Sequence, residues 1–260
     1  MLEAHDSIVT ERVVTSPEQL RVKIFADGAD RAGIAALAAK PWVRGFTTNP
    51  TLMRRAGVED YAAFARDVLE LVPDRPISFE VFSDEAGEME EQARLISSWG
   101  ENVYVKIPVT NTSGEPSGEI VRRLAGDGVK LNITALTHLR QVDEVVQWVA
   151  EGPSAFISVF AGRIADTGRD PVPIMASAVE ALRPHPHLEL IWASPREVLN
   201  LFQAEAVGCH VITVVHDILA KLGNLGRDLD EYSLETVREF FRDGQGAGYK
   251  LPRQHRIVAR

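Results

Sequence analysis

Along the chain, short apolar runs alternate with stretches in which apolar residues recur every three or four positions. The runs are 22–27 VKIFAD, 45–48 GFTT, 77–82 ISFEVF, 103–108 VYVKIP, 129–134 VKLNIT, 156–161 FISVFA, 189–194 ELIWAS and 211–216 VITVVH. Each is rich in β-branched or aromatic residues, the composition of a buried strand. The segments between them, such as YAAFARDVLELV, EMEEQARLISSW, ALTHLRQVDEVVQWVA and SPREVLNLFQAEAV, carry the 3.6-residue period of amphipathic helices. The expected strand ends, from Asp27 through Thr48, Phe82, Pro108, Thr134, Ala161 and Ser194 to His216, lie on average about 27 residues apart, enough for a strand and a crossover helix. Eight such units in succession predict an α/β fold, a single closed (β/α)8 TIM barrel. An open doubly wound sheet would more often carry a Gly-rich fingerprint after its first strand, and this chain has none.

Residues 1–20 are expected to form a short N-terminal arm, and 21–260 the barrel domain with its C-terminal helix. That helix, SLETVREFFRDGQGAG from Ser233, sets Phe240 beside Phe241 and is expected to cover the barrel bottom or to grip a neighbouring subunit. Two turn-like stretches, 109–118 and 161–173, follow strand ends, on the face where barrel chemistry takes place.

The 260 residues carry 37 acidic and 28 basic side chains, a net charge of −9. That balance argues against nucleic acid or an anionic membrane as a partner, so any bound anion must be held by a few local cations. A single cysteine, Cys209, cannot form an intramolecular disulfide. The start lacks the cationic and apolar regions of a signal peptide, and no apolar run reaches the ~20 residues of a membrane span. The expectation is a soluble, cytoplasmic protein. No HExxH or Cys/His cluster suggests a metal site. His185 and His187 flank a proline in an expected loop, His138 faces a helix and His210 precedes a strand; only His216, near the mouth, is placed to touch a substrate. Cys209 reads as a small core residue.

Nearly every expected strand end carries a polar or ionisable residue: Asp27; Thr47, Thr48 and Asn49; Glu80; Lys106; Asn132 and Thr134; Ser158 with Arg163 beyond it; Ser194 with Arg196. Alternation puts Asn132 with Thr134, and Ser158 with Phe160, on shared faces toward one mouth. Lys106 is the outlier, a lysine inside an apolar run. Alone it reads as a snorkelling strand end or the partner of Glu80 or Asp27. In this company it reads as a nucleophile, because a lysine taken out of water favours its neutral amine, which attacks a ketone to form a Schiff base. Other residues also have plainer readings: Asp27 as a helix cap, Thr134 and Ser158 as ordinary hydroxyls, Arg163 as a surface pair with Asp166.

Seven segments in order, ADGAD, GFTTNPTL, SFEVF, VYVKIPVT, LNIT, ISVFAGRIAD and ASPREV, resemble the transaldolase family, and AVGCHVIT resembles it more weakly. The resemblance implies a barrel in which Lys106 forms a Schiff base with C2 of a ketose phosphate. Glu80 would be the acid/base acting through a water held by Thr134, and Asp27 would handle the donor hydroxyl proton. By the same resemblance Thr47, Asn49, Asn132 and Ser158 would bind the dihydroxyacetone unit, Phe160 would line the site, and Arg163, Ser194 and Arg196 would hold phosphate. No metal or organic cofactor is required, since the iminium is itself the electron sink. The expected substrates are sugar phosphates, and the expected assembly is a homo-oligomer, dimer or larger.

Short relatives acting as fructose 6-phosphate aldolases carry glutamine at the position of Glu80 and tyrosine at that of Phe160, so the resemblance favours dihydroxyacetone transfer over simple cleavage. Alternatives are such an aldolase, another lysine-dependent barrel lyase, or a silent sugar-phosphate binding protein. The chain departs from the family pattern at Pro195, where phenylalanine is usual, and at Gly28, where the common pattern is ADT or LDT.

Overall fold

The structure, a computed structural model, describes residues 14–251; most of the expected arm, 1–13, and the terminus 252–260 lie outside the described residues. Eight strands run β1 (Lys23–Asp27), β2 (Val43–Thr47), β3 (Ile77–Glu80), β4 (Val103–Pro108), β5 (Leu131–Leu136), β6 (Ala155–Val159), β7 (Leu188–Trp192) and β8 (Val211–Val215). Every neighbouring pair is parallel, and β8 returns to β1 to close a barrel in sequence order. The crossovers carry α1 (Arg31–Ala38), α2 (Pro50–Arg55), α3 (Tyr61–Leu71), α4 (Ala86–Ser97), α5 (Gly118–Gly126), α6 (Leu139–Val149), α7 (Ala161–Asp166), α8 (Val172–Leu182) and α9 (Leu199–Ala206), and α10 (His216–Leu219) follows β8. The chain is thus a single (β/α)8 TIM barrel in class, as its periodicity predicts.

Local chemistry starts these helices. Asp30 caps α1 by accepting from the Gly33 N–H at 2.7 Å, and Asp60 caps α3 through Ala63 at 2.9 Å. Pro50 begins α2 with its φ already suited to a helix. Helix α6 buries Val142, Val145, Val146 and Val149, the spacing of one helical face turned to the sheet.

The barrel interior is divided along its axis. Below the mouth, Phe25 meets Phe156 edge-on with ring centres 5.4 Å apart, and Tyr104 lies 4.4 Å from Phe156. Ile191 and Val211 complete this apolar plug. A Cβ at position 45 would lie 2.6 Å from the Phe25 ring, so Gly45 makes the room that the ring occupies. Lower still, Lys23 pairs with Glu189 at 2.8 Å. Cys209 is buried, and burial pushes its thiol up to about 12, consistent with packing rather than reactivity.

Some boundaries differ from the sequence expectation. The stretch 161–173 opens with α7, whose Ile164 is buried and whose end is tied by the Thr167 hydroxyl donating to Ile164 O at 2.7 Å. Pairing of β6 with β7 ends at Val159 and Trp192, so Ala161 belongs to the helix. His216 likewise opens α10 instead of closing β8, and Phe82 lies beyond β3, 64% exposed.

The described residues fall into two compact units, Ser16–Gly223 and a second containing 14–15 and 224–251. In the second, α11 (Leu229–Gly246) is capped by Asp228, and none of its residues is buried; Leu229, Val237, Phe240 and Phe241 are exposed. Among the described residues no helix is long and apolar enough to cross a membrane.

Gly162 fixes the approach of α7 to the loop after β7. An added Cβ would lie 1.6 Å from the carbonyl oxygen of Ser194, which backbone cannot avoid. Gly162→Ala is therefore expected to destabilise by at least ~1–3 kcal/mol. Gly126→Ala, where a methyl meets nothing within 4 Å, should change stability by no more than about 0.5 kcal/mol. Denaturant melts of the two variants check the contrast.

Candidate active site

The site occupies the carboxyl ends of the strands, above the apolar plug. Register aligns Glu80 of β3, Lys106 of β4 and Asn132 of β5 in one row. Paired residues of parallel strands face the same way, so the three side chains share the inner wall. Lys106 is 7% exposed, and its Nζ lies 2.9 Å from Glu80 Oε2. It also donates to the carbonyl oxygen of Thr48 at 3.3 Å. A buried ammonium is tolerated only with such partners. The Tyr61 hydroxyl donates to the Glu80 carbonyl oxygen at 2.7 Å. Burial, then the Glu80 carboxylate, push the Tyr61 phenol up, so it stays a donor that pins the end of β3.

Asn132 is the centre of a buried polar chain. Ser158 Oγ donates to its Oδ1 at 2.7 Å, and its Nδ2 donates to Ser78 Oγ at 2.9 Å. These bonds fix the amide orientation and leave one Nδ2 hydrogen for other use. Thr134, two residues along on the same strand, has a buried hydroxyl with no hydrogen-bond partner among the described residues. Beside it the β5–β6 register shifts, and Ala135 adopts a left-handed φ of 69°. A buried hydroxyl left unsatisfied costs about 1–3 kcal/mol, so its presence at the mouth favours a role for a bound molecule.

The opposite wall is built by β1, β2 and β8. Thr47 Oγ1 donates to Asp27 Oδ1 at 2.8 Å. Having one hydrogen, Thr47 must accept in its short contact with the Thr213 hydroxyl, so the chain runs from Thr213 through Thr47 to Asp27. Burial raises the Asp27 carboxyl above its ordinary range. Lys106, the Thr47 hydrogen bond and His216 pull against that, and Glu80 adds to it. The cap of α1 is Asp30, which leaves Asp27 to the mouth.

Asn49 is used locally, since its Oδ1 caps α2 by accepting from Leu52 N at 3.0 Å. Its amide nitrogen takes no part in the cap. Phe160, half-buried, packs on the cluster of Phe25, Phe156, Ile191, Ala193 and Val211, and the Arg163 guanidinium lies 5.8 Å from its ring centre. Arg196 forms a two-pronged pair with Asp166, one bond being Nε to Oδ1 at 2.9 Å, and donates to Ser194 Oγ at 3.1 Å. That pair holds the Asp166 carboxyl below its usual range. The plainer reading of Arg163, a surface pair with Asp166, does not hold, since Asp166 pairs with Arg196 instead. Ser194 itself has φ 61°, a strained conformation for a residue with a Cβ, and Asn200 Oδ1 accepts from the N–H groups of Arg196 and Glu197 to hold the turn.

The structure therefore gathers Lys106, Glu80, Asn132, Ser158 and Thr134 on the β3–β6 wall, Asp27 and Thr47 on the facing wall, and Ser194 with Arg196 past β7. Sequence reasoning passed over Ser78, Thr213, Tyr61 and Asp166 as site members. Ser78 and Thr213 were detectable as polar residues in apolar runs, Ser78 on the same parity as Glu80; Tyr61 acts from a helix with nothing local to mark it, and Asp166 was noticed only as a neighbour of Arg163, not as the partner of Arg196. Among the described residues no group of His, Cys, Asp and Glu is arranged to hold a metal ion.

Comparison with solved structures gives the fold alone. Dihydrodipicolinate synthase from Rhodopseudomonas palustris matches with a TM-score of 0.55 at 12% identity, covering 88% of this chain and 81% of that one. KGPDC from Streptococcus mutans matches with a TM-score of 0.53 at 13% identity, covering 80% and 94%. Sequence comparison reaches further. A protein named "Probable transaldolase" from Dehalococcoides mccartyi is 32% identical over 202 residues, 77% of this chain and 90% of the relative. Another of that name from Streptococcus pyogenes is 33% identical with the same coverage, and "Probable transaldolase 2" from Listeria monocytogenes is 31% identical over 77% and 88%. The model of the family described as Transaldolase/Fructose-6-phosphate aldolase matches residues 24–252, nearly the whole barrel together with the helix that follows it. On that match and these relatives, the chain belongs to the transaldolase/fructose-6-phosphate aldolase family.

Proposed function

We propose that the protein is a transaldolase, moving a dihydroxyacetone unit from a ketose phosphate such as fructose 6-phosphate or sedoheptulose 7-phosphate to an aldose phosphate through a Schiff base on Lys106. The observation that carries this reading is Lys106 itself, held in a barrel mouth 2.9 Å from a carboxylate able to take its proton. The neutral amine adds to C2 of the open-chain ketose, and loss of water gives the iminium. Glu80 moves protons in these steps, with the unpaired Thr134 hydroxyl suited to hold the water involved. Asp27 takes the C4 hydroxyl proton as the C3–C4 bond breaks, the aldose phosphate leaves and the electron pair passes into the iminium as an enamine. Addition of C3 to a second aldose phosphate reverses these steps. Asn132, Ser158, Thr47 and the Asn49 amide nitrogen are the groups for the three-carbon hydroxyls; Arg163, Ser194 and Arg196 are those for phosphate. Phe160 offers no hydroxyl at its position, which favours transfer over release of free dihydroxyacetone. The exposed apolar residues of α11 support a homo-oligomer as the working form.

Incubation with fructose 6-phosphate followed by borohydride reduction should leave a three-carbon adduct on Lys106, located by peptide mass spectrometry. Lys106→Met should carry none, and Glu80→Gln or Thr134→Val should slow adduct formation by about 10²–10⁴-fold. An unmodified Lys106 with both donors would sink the mechanism and favour a binding protein. Rapid release of free dihydroxyacetone without acceptor would identify an aldolase instead.

The raised Asp27 carboxyl gives a second expectation. Below 3.8, the ordinary aspartate value, folded and unfolded chains both keep the proton and the residue contributes nothing. Above it the unfolded chain releases the proton first, so stability falls as pH rises until the folded group ionises as well. Asp27→Asn should therefore melt like the parent in acid and at a higher temperature near neutrality, while losing cleavage by about 10²–10⁴-fold. Thermal melts across pH, paired with the adduct assay, read both effects.

A further inference from the structure

The hydroxyl chain that ends on Asp27 has a direction, and that direction is set at its far end. Thr213 lies on β8 two residues along from Val211 of the apolar plug and in register with Phe25, so its side chain stands on the inner face just over the plug. It is 6% exposed. Among the described residues its hydroxyl has one hydrogen-bond partner, Thr47 Oγ1. Thr47 in turn donates to Asp27 Oδ1 at 2.8 Å, and no other side chain among the described residues hydrogen-bonds to that carboxyl.

The proton arrangements open to this chain are not equivalent. With Asp27 ionised, Thr213 donates to Thr47 and Thr47 donates to the carboxylate, so both hydroxyl hydrogens are used. With Oδ1 protonated, the carboxyl donates to Thr47, Thr47 donates to Thr213, and the Thr213 hydrogen is left in apolar surroundings without an acceptor, a costly state for a buried donor. A proton on Oδ2 keeps the chain running forward but exchanges a charge-assisted bond for a weaker neutral one. The ionised carboxylate is therefore the form that this chain serves best. Thr47 keeps a second lone pair throughout, so it can still accept from a substrate hydroxyl.

We propose that Thr213 is a positioning residue: its hydroxyl commits the Thr47 hydrogen to Asp27 and so keeps that carboxyl ionised as the base for the donor hydroxyl. This rests on the reading of Asp27 and Lys106 given above. Burial works against the ionised form, and Glu80 of β3 adds to that; Lys106 of β4, the Thr47 bond and His216 of α10 oppose it. Asp30, before α1, and Asp217, on α10, are exposed, and Lys23 and Glu189 are paired below the plug. Thr213 acts through the one influence in that set that is a hydrogen bond.

The test separates imine formation from bond cleavage. The full-length protein is mixed with fructose 6-phosphate at a series of pH values and quenched into borohydride at intervals, and the rate at which six-carbon adduct on Lys106 gives way to three-carbon adduct is measured. Thr213→Val keeps the β-branched shape and removes the hydroxyl. Its total adduct should stay near the parent's while the acid limb of the cleavage rate moves up by about half a pH unit or more, a loss of about three-fold in mild acid. Thr213→Ala should match it and covers the case in which valine disturbs the packing over Phe25, whereas Thr213→Ser should follow the parent. Thermal melts give a readout independent of the chemistry. Asp27 loses stability between the pH at which the unfolded chain ionises and the pH at which the folded one does, and loss of the Thr213 hydroxyl widens that window upward. Thr213→Val should therefore melt closest to the parent in acid and fall further below it toward neutrality, and in an Asp27→Asn background the difference should not change with pH. Rate profiles and melt differences that run parallel to the parent's at every pH in Thr213→Val and Thr213→Ala, or a Thr213→Ser that behaves as Thr213→Val does, would make Thr213 a packing residue and overturn the inference. A parent protein with no adduct, but with the pH-dependent melt difference intact, would instead overturn the Schiff-base reading.

Discussion

An ammonium and a carboxylate 2.9 Å apart, set where a barrel strand meets its mouth and largely screened from water, require a support on every side. Desolvating two ions is repaid only when their remaining donors and acceptors are satisfied, so the neighbours of Lys106 and Glu80 are constrained before any substrate is considered. The Thr48 carbonyl is held by the pairing of Thr48 with β3, and the Tyr61 hydroxyl ties down the backbone of Glu80. The aromatic plug beneath keeps the floor dry, and Gly45 lets Phe25 lie flat enough to form it. Loss of Glu80 or of the Thr48 carbonyl contact would leave the Lys106 charge under-compensated, while loss of Tyr61 or of the room at Gly45 would disturb the backbone and floor that position it.

The polar side chains of the mouth stand on two walls of different character. On the β3–β6 side, Asn132 is locked by Ser158 and Ser78 into one orientation, a rigid surface suited to reading hydroxyl geometry. On the β1–β2–β8 side, the Thr213–Thr47–Asp27 chain leads to a carboxyl whose charge is under competing influences. On the proposed mechanism each wall carries one proton-transfer group, Glu80 on the first and Asp27 on the second, beside residues for the substrate hydroxyls. Such preorganisation lets a reaction proceed with little rearrangement of the protein at the moment of bond breaking.

Much of this was legible from the order of residues, for physical reasons that can be named. A barrel strand is buried on both faces, so a polar residue at its carboxyl end stands out, and Asp27, Glu80, Lys106, Asn132 and Thr134 were each visible in that way. Helix periodicity marked α3, α4 and α6 because each has a wet face and a dry one. What escaped depends on contacts closed over long separations. Asp166 is three residues from Arg163 but pairs with Arg196, since Gly162 lets the loop after β7 press against α7. Asn49 had its oxygen claimed by Leu52, a matter of capping geometry. The room left at Gly28 is taken by the His216 ring, which β8 brings over it by closing against β1.

The pairing of Asp166 with Arg196 also bears on turnover. An isolated two-arginine site would hold a dianionic phosphate tightly, whereas a guanidinium already shared with a carboxylate presents a weaker field and regains its internal partner whenever a ligand departs. On the proposed mechanism, two different phosphate esters must use the same anchorage in succession while the three-carbon fragment waits on the lysine. The internal carboxylate then acts as a resident competitor, smoothing the exchange of one ester for the next and keeping the covalent intermediate from being stranded behind a slow product.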